Sequence, residues 1–240
     1  GCSVATVGQK PESLKVIQEV CHENGADLTV ADLEKAKAVK ADFAGQTLEY
    51  RGETYELSLA GSYQTENAAL AIEALNILDE KGYPTTIEQR KKGLKDTKWN
   101  GRLTIIHRDP LFIVDGAHNP AAADMLEDSV RKYFKGRRIF FIMGVFRDKD
   151  YHYIIRKLCP YAEQIVTVET PDNPRALPAE ELTEAIEPCN SHVQASESIR
   201  DAVDKVFDMA GKDDVILSFG SLSFIGEITA IVKTWEEKDS

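Results

Sequence analysis

The pattern of apolar and polar residues changes near residue 100. Before that point, short apolar runs, helical spacings and one stretch of strict alternation follow one another, which predicts a mixed α and β region. One predicted helix should bury the face that carries Ala68, Ala71, Leu75 and Leu78, because these residues recur at helical spacing. The predicted elements are a strand at residues 4–7, a helix at 11–24, hairpin strands at 47–50 and 54–59, and helices at 65–78 and 86–94.

After residue 102 the apolar runs become short and continuous, and helical stretches separate most of them. Runs that are apolar on both faces are typical of buried parallel strands. Alternating strands and helices predict a doubly wound α/β domain with a mostly parallel sheet. The predicted strands are residues 103–106, 111–114, 139–143, 165–168, 192–195 and 215–217, and the helices are 120–134, 151–159, 178–186, 196–209 and 224–235.

The break in periodicity at residues 98–102 (KWNGR) predicts a domain boundary. We therefore expect a first domain at residues 1–98, a linker at 99–102 and a second domain at 103–240. The chain begins with Gly1 and has methionines only at Met125, Met143 and Met209, so we expect that a further segment precedes it.

Charge and cysteine content restrict the partners. The 240 residues include 29 Lys and Arg against 40 Asp and Glu, a net charge of −11, which disfavours binding to nucleic acid or to anionic membranes. The four cysteines form no CxxC pair, as expected for reduced thiols in the cytoplasm. No apolar run approaches the length of a membrane span. We expect a cytoplasmic monomer that acts on small molecules.

Reactive side chains concentrate in the loops that follow the predicted parallel strands, where open α/β sheets bind ligands. These loops are residues 115–120, 144–150, 169–175 and 218–223. In the first, Asp115 and His118 stand beside a helix N-terminus. They could orient a ribose or an amine and contact a phosphate or carboxylate. Equally, Asp115 could form an Asx turn, Asn119 could cap the helix and His118 could only pack.

The other candidates have similar alternatives. Ser221 and the neighbouring backbone amides could hold a carboxylate or a phosphate, or form a plain turn. Arg175 could clamp a phosphate or lie in a turn, and Arg102 could bind a ligand near the domain boundary or be solvated. Residues 148–150 (DKD) are more typical of a solvated helix start. The chain contains no GxxxxGK[ST] or GxGxxG motif and no residues at metal-ligand spacing.

Taken together, these segments closely resemble the folylpolyglutamate synthase and dihydrofolate synthase family, within the ATP-dependent Mur ligase superfamily. The matching motifs are GSYQTENAALA at residues 61–71, WNGR at 99–102, DGAHNP at 115–120, GVFRDKD at 144–150, NPRALP at 173–178 and FGSL at 219–222. The resemblance implies that residues 1–98 are the end of a central ATPase domain and that the rest is a Rossmann-like C-terminal domain. It also implies that the P-loop precedes this chain.

The resemblance implies an ATP-dependent ligase that adds L-glutamate to folate or dihydropteroate through an acyl phosphate. The Mg²⁺ ligands are expected upstream of this chain, and the chain alone is expected to be inactive. The implied catalytic residues are Asp115 and His118. The implied ligand contacts are Asn67, Arg102, Asp115 and Gln64 for ATP, and His118 and Ser221 for the incoming glutamate. Departures from the family pattern are Tyr63, Asn100 and Ser223.

Two other functions stay open at this point. The first is a Mur ligase that acts on a cell-wall precursor, because the DGAHNP type of loop is shared with those enzymes. The second is a non-catalytic, Rossmann-type nucleotide-binding module. Tight binding of ATP by this chain alone would favour the module.

Overall fold

A computed structural model describes residues 2–8, 10–42 and 45–236. The chain divides into two compact units, Gly1–Lys98 and Trp99–Ser240. Residues 99–102, which we expected to form a linker, fall within the second unit. Each unit has its own strands and helices and is described separately.

The first unit combines a parallel strand pair with an antiparallel three-stranded sheet. Strands β1 and β2 pair in parallel, and β3, β4 and β5 form the antiparallel sheet. The hairpin between β4 and β5 turns at Arg51 and Gly52, which both have positive φ (51° and 82°), as in the type I′ turns that suit hairpins. Its elements are β1 (Ser3–Thr6), α1 (Pro11–Glu23), β2 (Asp27–Val30), β3 (Lys37–Asp42), β4 (Gly45–Tyr50), β5 (Glu53–Leu57), α2 (Gln64–Glu80) and α3 (Ile87–Asp96).

Helix α2 buries only part of the predicted face. Ala68 is buried and Leu75 is half-buried, but the prediction was wrong for Ala71, which is exposed, and for Leu78, which is 43% exposed. The helix carries apolar residues on several of its sides, so its sequence alone does not decide which face packs against the rest of the unit. Contact with the hairpin selects among them, and the resulting core of the unit is Leu48, Tyr50, Tyr55, Leu57, Ala68, Ala69 and Ile72.

A buried carboxylate joins α2 to the hairpin. Glu73 is 2% exposed and accepts hydrogen bonds from the hydroxyl of Tyr50 (2.6 Å), from Nε and Nη2 of Arg51 (2.6 and 2.9 Å) and from Nδ2 of Asn76 (3.4 Å). Burial alone would raise the pKa of Glu73. The hydrogen bonds from Arg51, Tyr50 and Asn76 outweigh burial and hold the pKa below its ordinary value.

We expect Glu73→Gln to lower the free energy of unfolding by about 2 kcal/mol at pH 7, because the amide replaces an ionised acceptor with a weaker one and brings a donor toward Arg51. Since the folded-state pKa of Glu73 is lowered, its stabilisation is complete above the unfolded pKa of about 4.3 and is lost as the pH falls through the folded value. The difference between wild type and variant should therefore shrink on acidification. Urea unfolding followed by circular dichroism at pH 7 and below pH 4 measures both values.

The exposed Glu66 on the same helix supplies the control for this experiment. Glu66→Gln should change the free energy of unfolding by less than about 0.5 kcal/mol. The role of the ionised carboxylate would be contradicted if the difference in the free energy of unfolding between wild type and Glu73→Gln were as large below pH 4 as at pH 7.

The second unit is a six-stranded sheet in the order β10-β9-β8-β11-β7-β6, with β7 to β11 parallel. The predicted α/β class with a mostly parallel sheet is confirmed. The elements of the unit are β6 (Thr104–His107), β7 (Leu111–Val114), α4 (Pro120–Tyr133), β8 (Ile139–Met143), α5 (Tyr151–Leu158), β9 (Gln164–Thr167), α6 (Ala179–Ile186), β10 (Val193–Ala195), α7 (Ile199–Met209), β11 (Val215–Phe219) and α8 (Ile225–Glu236).

Strand β6 differs from its prediction as a buried parallel strand. It is the outermost strand of the sheet and runs antiparallel to β7, and its residues are only partly buried. Only residues 108–110 connect it to β7. A parallel neighbour needs a crossover of a dozen or more residues, so a connection of three residues permits only an antiparallel pair.

Helices cover both faces of this sheet. On one face α7 and α8 contact each other and pack on alternate strand residues. On the other face Phe141 and Phe219 meet edge to face with ring centroids 5.0 Å apart, and the Thr167 hydroxyl donates to the carbonyl of Ala179 in α6 (2.8 Å). The strand residues in the α7 and α8 core are Phe112, Val114, Phe140, Ile142, Val166 and Ile216.

Candidate functional site

The carboxyl ends of β7, β11 and β8 are neighbours at one edge of the sheet, because β11 pairs in parallel with both β7 and β8. The loops that follow these three strands begin at Asp115, Gly220 and Gly144. These are three of the four loops singled out in the sequence. The edge where they meet is therefore the candidate site of the second unit.

Asp115 anchors two backbone segments at this edge. It is 5% exposed, its Oδ2 accepts from the amide of Leu103 (2.9 Å) and its Oδ1 accepts from the amide of Ala117 (2.8 Å). Burial raises the pKa of Asp115, against the opposing effects of the two amides and of the charges on Arg102 and His118. The Asx turn considered for this loop is present, and the same carboxylate also holds the segment before β6.

Arg102 lies against the Asp115 loop because residue 116 has no side chain. The carbonyl of Gly101 accepts from the amide of Gly116 (2.8 Å) and from Nη1 of Arg102 (3.3 Å). A Cβ on Gly116 would lie 2.8 Å from Nη1 of Arg102 and 2.3 Å from Cδ2 of Leu222. Gly116 thus permits a half-buried guanidinium and a leucine to approach the loop together.

His118 and Asn119 complete this loop. The ring Nδ1 of His118 lies 2.7 Å from the carbonyl of Gly116. A carbonyl only accepts, so we assign the proton of a neutral ring to Nδ1, which makes Nε2 the acceptor. Asn119 caps α4, since its Oδ1 accepts from the amide of Ala122 (2.9 Å). His118 therefore has one ring nitrogen fixed at the start of a helix.

Ser221 is held in place by a close backbone contact beneath it. The residue is 3% exposed, and its Oγ accepts from the amide of Ser223 (3.2 Å) and lies 2.8 Å from the Ser223 hydroxyl. The preceding Gly220 has φ +112°, and a Cβ there would meet the carbonyl oxygen of Gly144 at 2.3 Å. The close packing of Gly220 on Gly144 thus fixes the position of Ser221, which begins a short helical turn.

The loops after β8 and β9 pair with each other through backbone and side chains. The amide of Arg147 donates to the carbonyl of Arg175 (2.8 Å), and the Arg147 side chain pairs with Glu181 (2.8 Å). The guanidinium of Arg175 stacks 4.8 Å from the centroid of the Phe146 ring and lies 3.4 Å from Asp148. Both arginines therefore have protein partners in this structure.

Gln64 and Asn67, the two nucleotide-site candidates of the first unit, share the first turn of α2. Asn67 is exposed and donates from Nδ2 to Oε1 of Gln64 (3.0 Å), whereas Gln64 is 6% exposed. Gln46 was missed by the sequence reasoning. Its Nε2 donates to the carbonyls of Leu59 (3.0 Å) and Gly61 (2.7 Å), which fixes the segment leading into α2.

Sequence reasoning also missed the residues that hold the segment before β6. Leu103 has φ +41°, a conformation that a leucine rarely adopts, and only its bond to Asp115 reveals why. The hydroxyl of Thr104 bonds to Trp99, Gly101 and Arg102. A threonine at the start of a strand carries no distinctive signal in a single sequence.

Neither a metal centre nor a membrane span was found in the described part of the chain. No group of three or more His, Cys, Asp or Glu side chains there is arranged to hold a metal ion. Among the same residues, no helix combines the length and the apolar character that crossing a bilayer requires. All four cysteines are free thiols.

Residues 101–222, just over half of the chain, match the sequence model of the Mur ligase, glutamate ligase domain. The chain belongs to this family. The matched range contains Arg102, Asp115, His118 and Ser221, and hence the whole candidate site of the second unit. The resemblance seen in the sequence motifs is confirmed, and the family consists of ATP-dependent ligases that form amide bonds.

Individual relatives agree with this assignment. The chain is 30% identical over 240 residues to a dihydrofolate synthase/folylpolyglutamate synthase of Bacillus subtilis, covering 97% of this chain and 55% of that protein. It is 31% identical over 192 residues to a UDP-N-acetylmuramoyl-L-alanyl-D-glutamate–2,6-diaminopimelate ligase of Aquifex aeolicus, covering 75% of this chain and 38% of that one. The chain thus spans about half the length or less of these curated relatives.

A solved structure is also similar. The crystal structure of Mycobacterium tuberculosis folylpolyglutamate synthase complexed with ADP and AMPPCP aligns with a TM-score of 0.82 and 26% identity. The alignment covers 95% of this chain and 55% of that one. Both units of the chain therefore have counterparts in that enzyme.

Proposed function

We propose that the chain is the C-terminal portion of an ATP-dependent ligase that joins L-glutamate to folate or dihydropteroate through an amide bond. Residues 1–98 are then the end of its central ATPase domain, and residues 103–240 are its Rossmann-like ligase domain. The P-loop and the Mg²⁺ ligands lie upstream, and the enzyme works as a cytoplasmic monomer. The names of the Bacillus and Mycobacterium relatives support this substrate class.

The observation that carries the proposal is the convergence of Arg102, Asp115, His118 and Ser221 within one unit that matches the glutamate ligase family. A cation, a buried carboxylate, a fixed imidazole and a helix-capping hydroxyl suit an anionic substrate that carries an amine. L-glutamate fits this description, and the phosphates of ATP are anionic groups that the cation can bind.

The reaction has two steps, a phosphoryl transfer followed by an acyl transfer. The carboxylate of the acceptor attacks the γ-phosphorus of ATP, releasing ADP and forming an acyl phosphate. The amine of glutamate then attacks the acyl carbon, so that the new amide forms as phosphate leaves and the amine loses its proton. Such chemistry depends on positioning and on neutralising charge. Bound Mg²⁺ would supply part of that neutralisation.

Residues of this chain have separate roles in the proposal. Arg102 offsets phosphate charge, and the buried Asp115 fixes the loop beside the nucleotide and the amine. His118 and Ser221 orient the incoming glutamate, the former through Nε2 and the latter at the start of a helical turn. Gln64 and Asn67 contact the nucleotide from α2.

A substrate comparison on the full-length protein tests the function. ADP release should require ATP, L-glutamate and either dihydropteroate or a reduced folate, and mass spectrometry should find the product one glutamate heavier. UDP-N-acetylmuramoyl-L-alanyl-D-glutamate with diaminopimelate should give no turnover. The reverse pattern would support the cell-wall ligase, which the Aquifex relative favours as the second candidate.

Assays on the 240-residue chain alone test whether it is only a portion of an enzyme. We expect no ADP release dependent on folate and glutamate, and weak or no binding of MgATP by calorimetry. Tight MgATP binding by this chain would support the non-catalytic nucleotide-binding module, and turnover would show that no further segment is needed.

We expect His118→Ala in the full-length enzyme to lower kcat/KM for L-glutamate about 10-fold while the KM for ATP changes less than twofold. The loss follows from removing the group that orients the amino acid, and it corresponds to one charge-assisted hydrogen bond. Steady-state kinetics with each substrate varied in turn measures the effect. His152→Ala, at an exposed position on α5, is the matched control. An unchanged kcat/KM for glutamate in His118→Ala would remove this role.

A further inference from the structure

The short segment that carries Arg102 is fastened by one hydroxyl group. Thr104 Oγ1 accepts from the amides of Gly101 (3.0 Å) and Arg102 (3.3 Å) and donates to the carbonyl of Trp99 (3.3 Å). A threonine hydroxyl has one hydrogen and two lone pairs. Its whole hydrogen-bonding capacity is therefore spent on residues 99–102.

The same segment is tied to the Asp115 loop on both sides of Arg102. On one side, the carbonyl of Gly101 accepts from the amide of Gly116 (2.8 Å). On the other, the amide of Leu103 donates to Asp115 (2.9 Å), with Leu103 buried and at φ +41°. Left-handed backbone is unfavourable for leucine, so neighbouring bonds must maintain it. The Thr104 hydroxyl supplies bonds at the positions just before this strained residue.

These contacts fix the backbone from which the Arg102 side chain extends. Binding a ligand orders the side-chain torsions of an arginine and costs conformational entropy. A backbone that is already ordered avoids a further entropic cost, so more of the interaction energy remains as affinity. The guanidinium itself donates to the Gly101 carbonyl (3.3 Å) and occupies space that a side chain at Gly116 would restrict. The hydroxyl of Thr104 is thus one of the contacts that hold the backbone of Arg102 in place.

We propose that Thr104 is a positioning residue for ATP, acting through Arg102. This inference rests on the proposed function for its ligand, and it assigns a role to a side chain that contacts no reacting atom. The competing explanation is that the hydroxyl contributes only to the stability of the second unit. The two explanations differ in what happens to nucleotide affinity when the fold is intact.

The test uses Thr104→Val, which keeps the branched shape and removes the hydroxyl, and Thr104→Ser, which keeps the hydroxyl. In the full-length protein we expect Thr104→Val to raise both the Kd and the KM for ATP about 5- to 10-fold. The kcat and the KM for glutamate should change less than twofold. Thr104→Ser should lie within twofold of wild type for ATP, although it loses a methyl group that Thr104→Val retains.

A double-mutant cycle identifies the route of the effect. If Thr104 acts through Arg102, Thr104→Val should add less than twofold to the Kd for ATP in an Arg102→Ala background. Three results would overturn the inference: an unchanged Kd in Thr104→Val, equal losses in Thr104→Val and Thr104→Ser, or a full additional loss in the Arg102→Ala background. Because Kd is measured by calorimetry without turnover, a wild-type protein that ligates no acceptor would refute the proposed function while the cycle still decides the role of Thr104.

Discussion

Replacing Arg102 by alanine in the full-length enzyme is expected to lower kcat/KM for ATP about 100-fold, equivalent to about 3 kcal/mol of transition-state stabilisation. Arg102 is half-buried and is held beside the buried Asp115 loop, where solvent screens its charge less than at an exposed position. Charge on the transferring phosphoryl group is spread over several oxygens. A planar guanidinium can meet two of them at once.

Initial-rate kinetics at varied ATP and saturating glutamate measures this effect. Arg102→Lys should recover only part of the activity, because an ammonium group keeps the charge and lacks the two-pronged geometry. Arg200, an exposed arginine in the first turn of α7, provides the control, and Arg200→Ala should stay within twofold of wild type. Kinetics of Arg102→Ala within a factor of three of wild type would exclude Arg102 from the phosphate site.

Replacing Gly220 by alanine is expected to destabilise the second unit by about 4 kcal/mol. The added Cβ would lie 2.3 Å from the carbonyl oxygen of Gly144, a backbone atom that cannot move aside as a side chain would. The φ of +112° adds strain of about 1–3 kcal/mol for any residue other than glycine. Forcing the loops after β8 and β11 apart costs a similar amount.

Thermal unfolding of the 240-residue chain measures this loss, which corresponds to a fall in Tm of about 10 °C for a unit of this size. Fluorescence reports on the correct unit, because both tryptophans of the chain, Trp99 and Trp235, belong to it. Gly136→Ala separates the two causes, since Gly136 has φ +82° but a Cβ added there would meet no atom within 4 Å. That control should cost only about 1 kcal/mol, and an equal loss in both variants would rule out the clash.

Most elements of the second unit could be predicted from the sequence because their signals are local. Continuous apolar runs such as Ile139–Met143 match strands that are buried on both faces. Asn119 followed by Pro120 marks the start of α4, where the Asn119 side chain caps the helix. These signals need only the chain neighbours of each residue, and they place the reactive loops at the ends of parallel strands.

The direction of strand β6 and the buried face of helix α2 were predicted less well, because both depend on partners that are distant in sequence. Strand β6 has the composition of a buried strand, yet its short connection makes it an antiparallel edge strand. Helix α2 offers several apolar faces, and the hairpin packed against it decides that Ala69 and Ile72 are buried while Leu78 is exposed. In both cases the deciding contact is absent from the local pattern.

By itself the sequence determined the α/β class, the sites of the reactive loops and, through the order of its motifs, the family. Only the tertiary structure decided what each side chain contacts. It placed both oxygens of Asp115 on the amides of Leu103 and Ala117, and it gave Thr104 three backbone partners. The physical reason is range: periodicity and caps act over a few residues, whereas these bonds depend on the way the segment before β6 packs against the loop after β7.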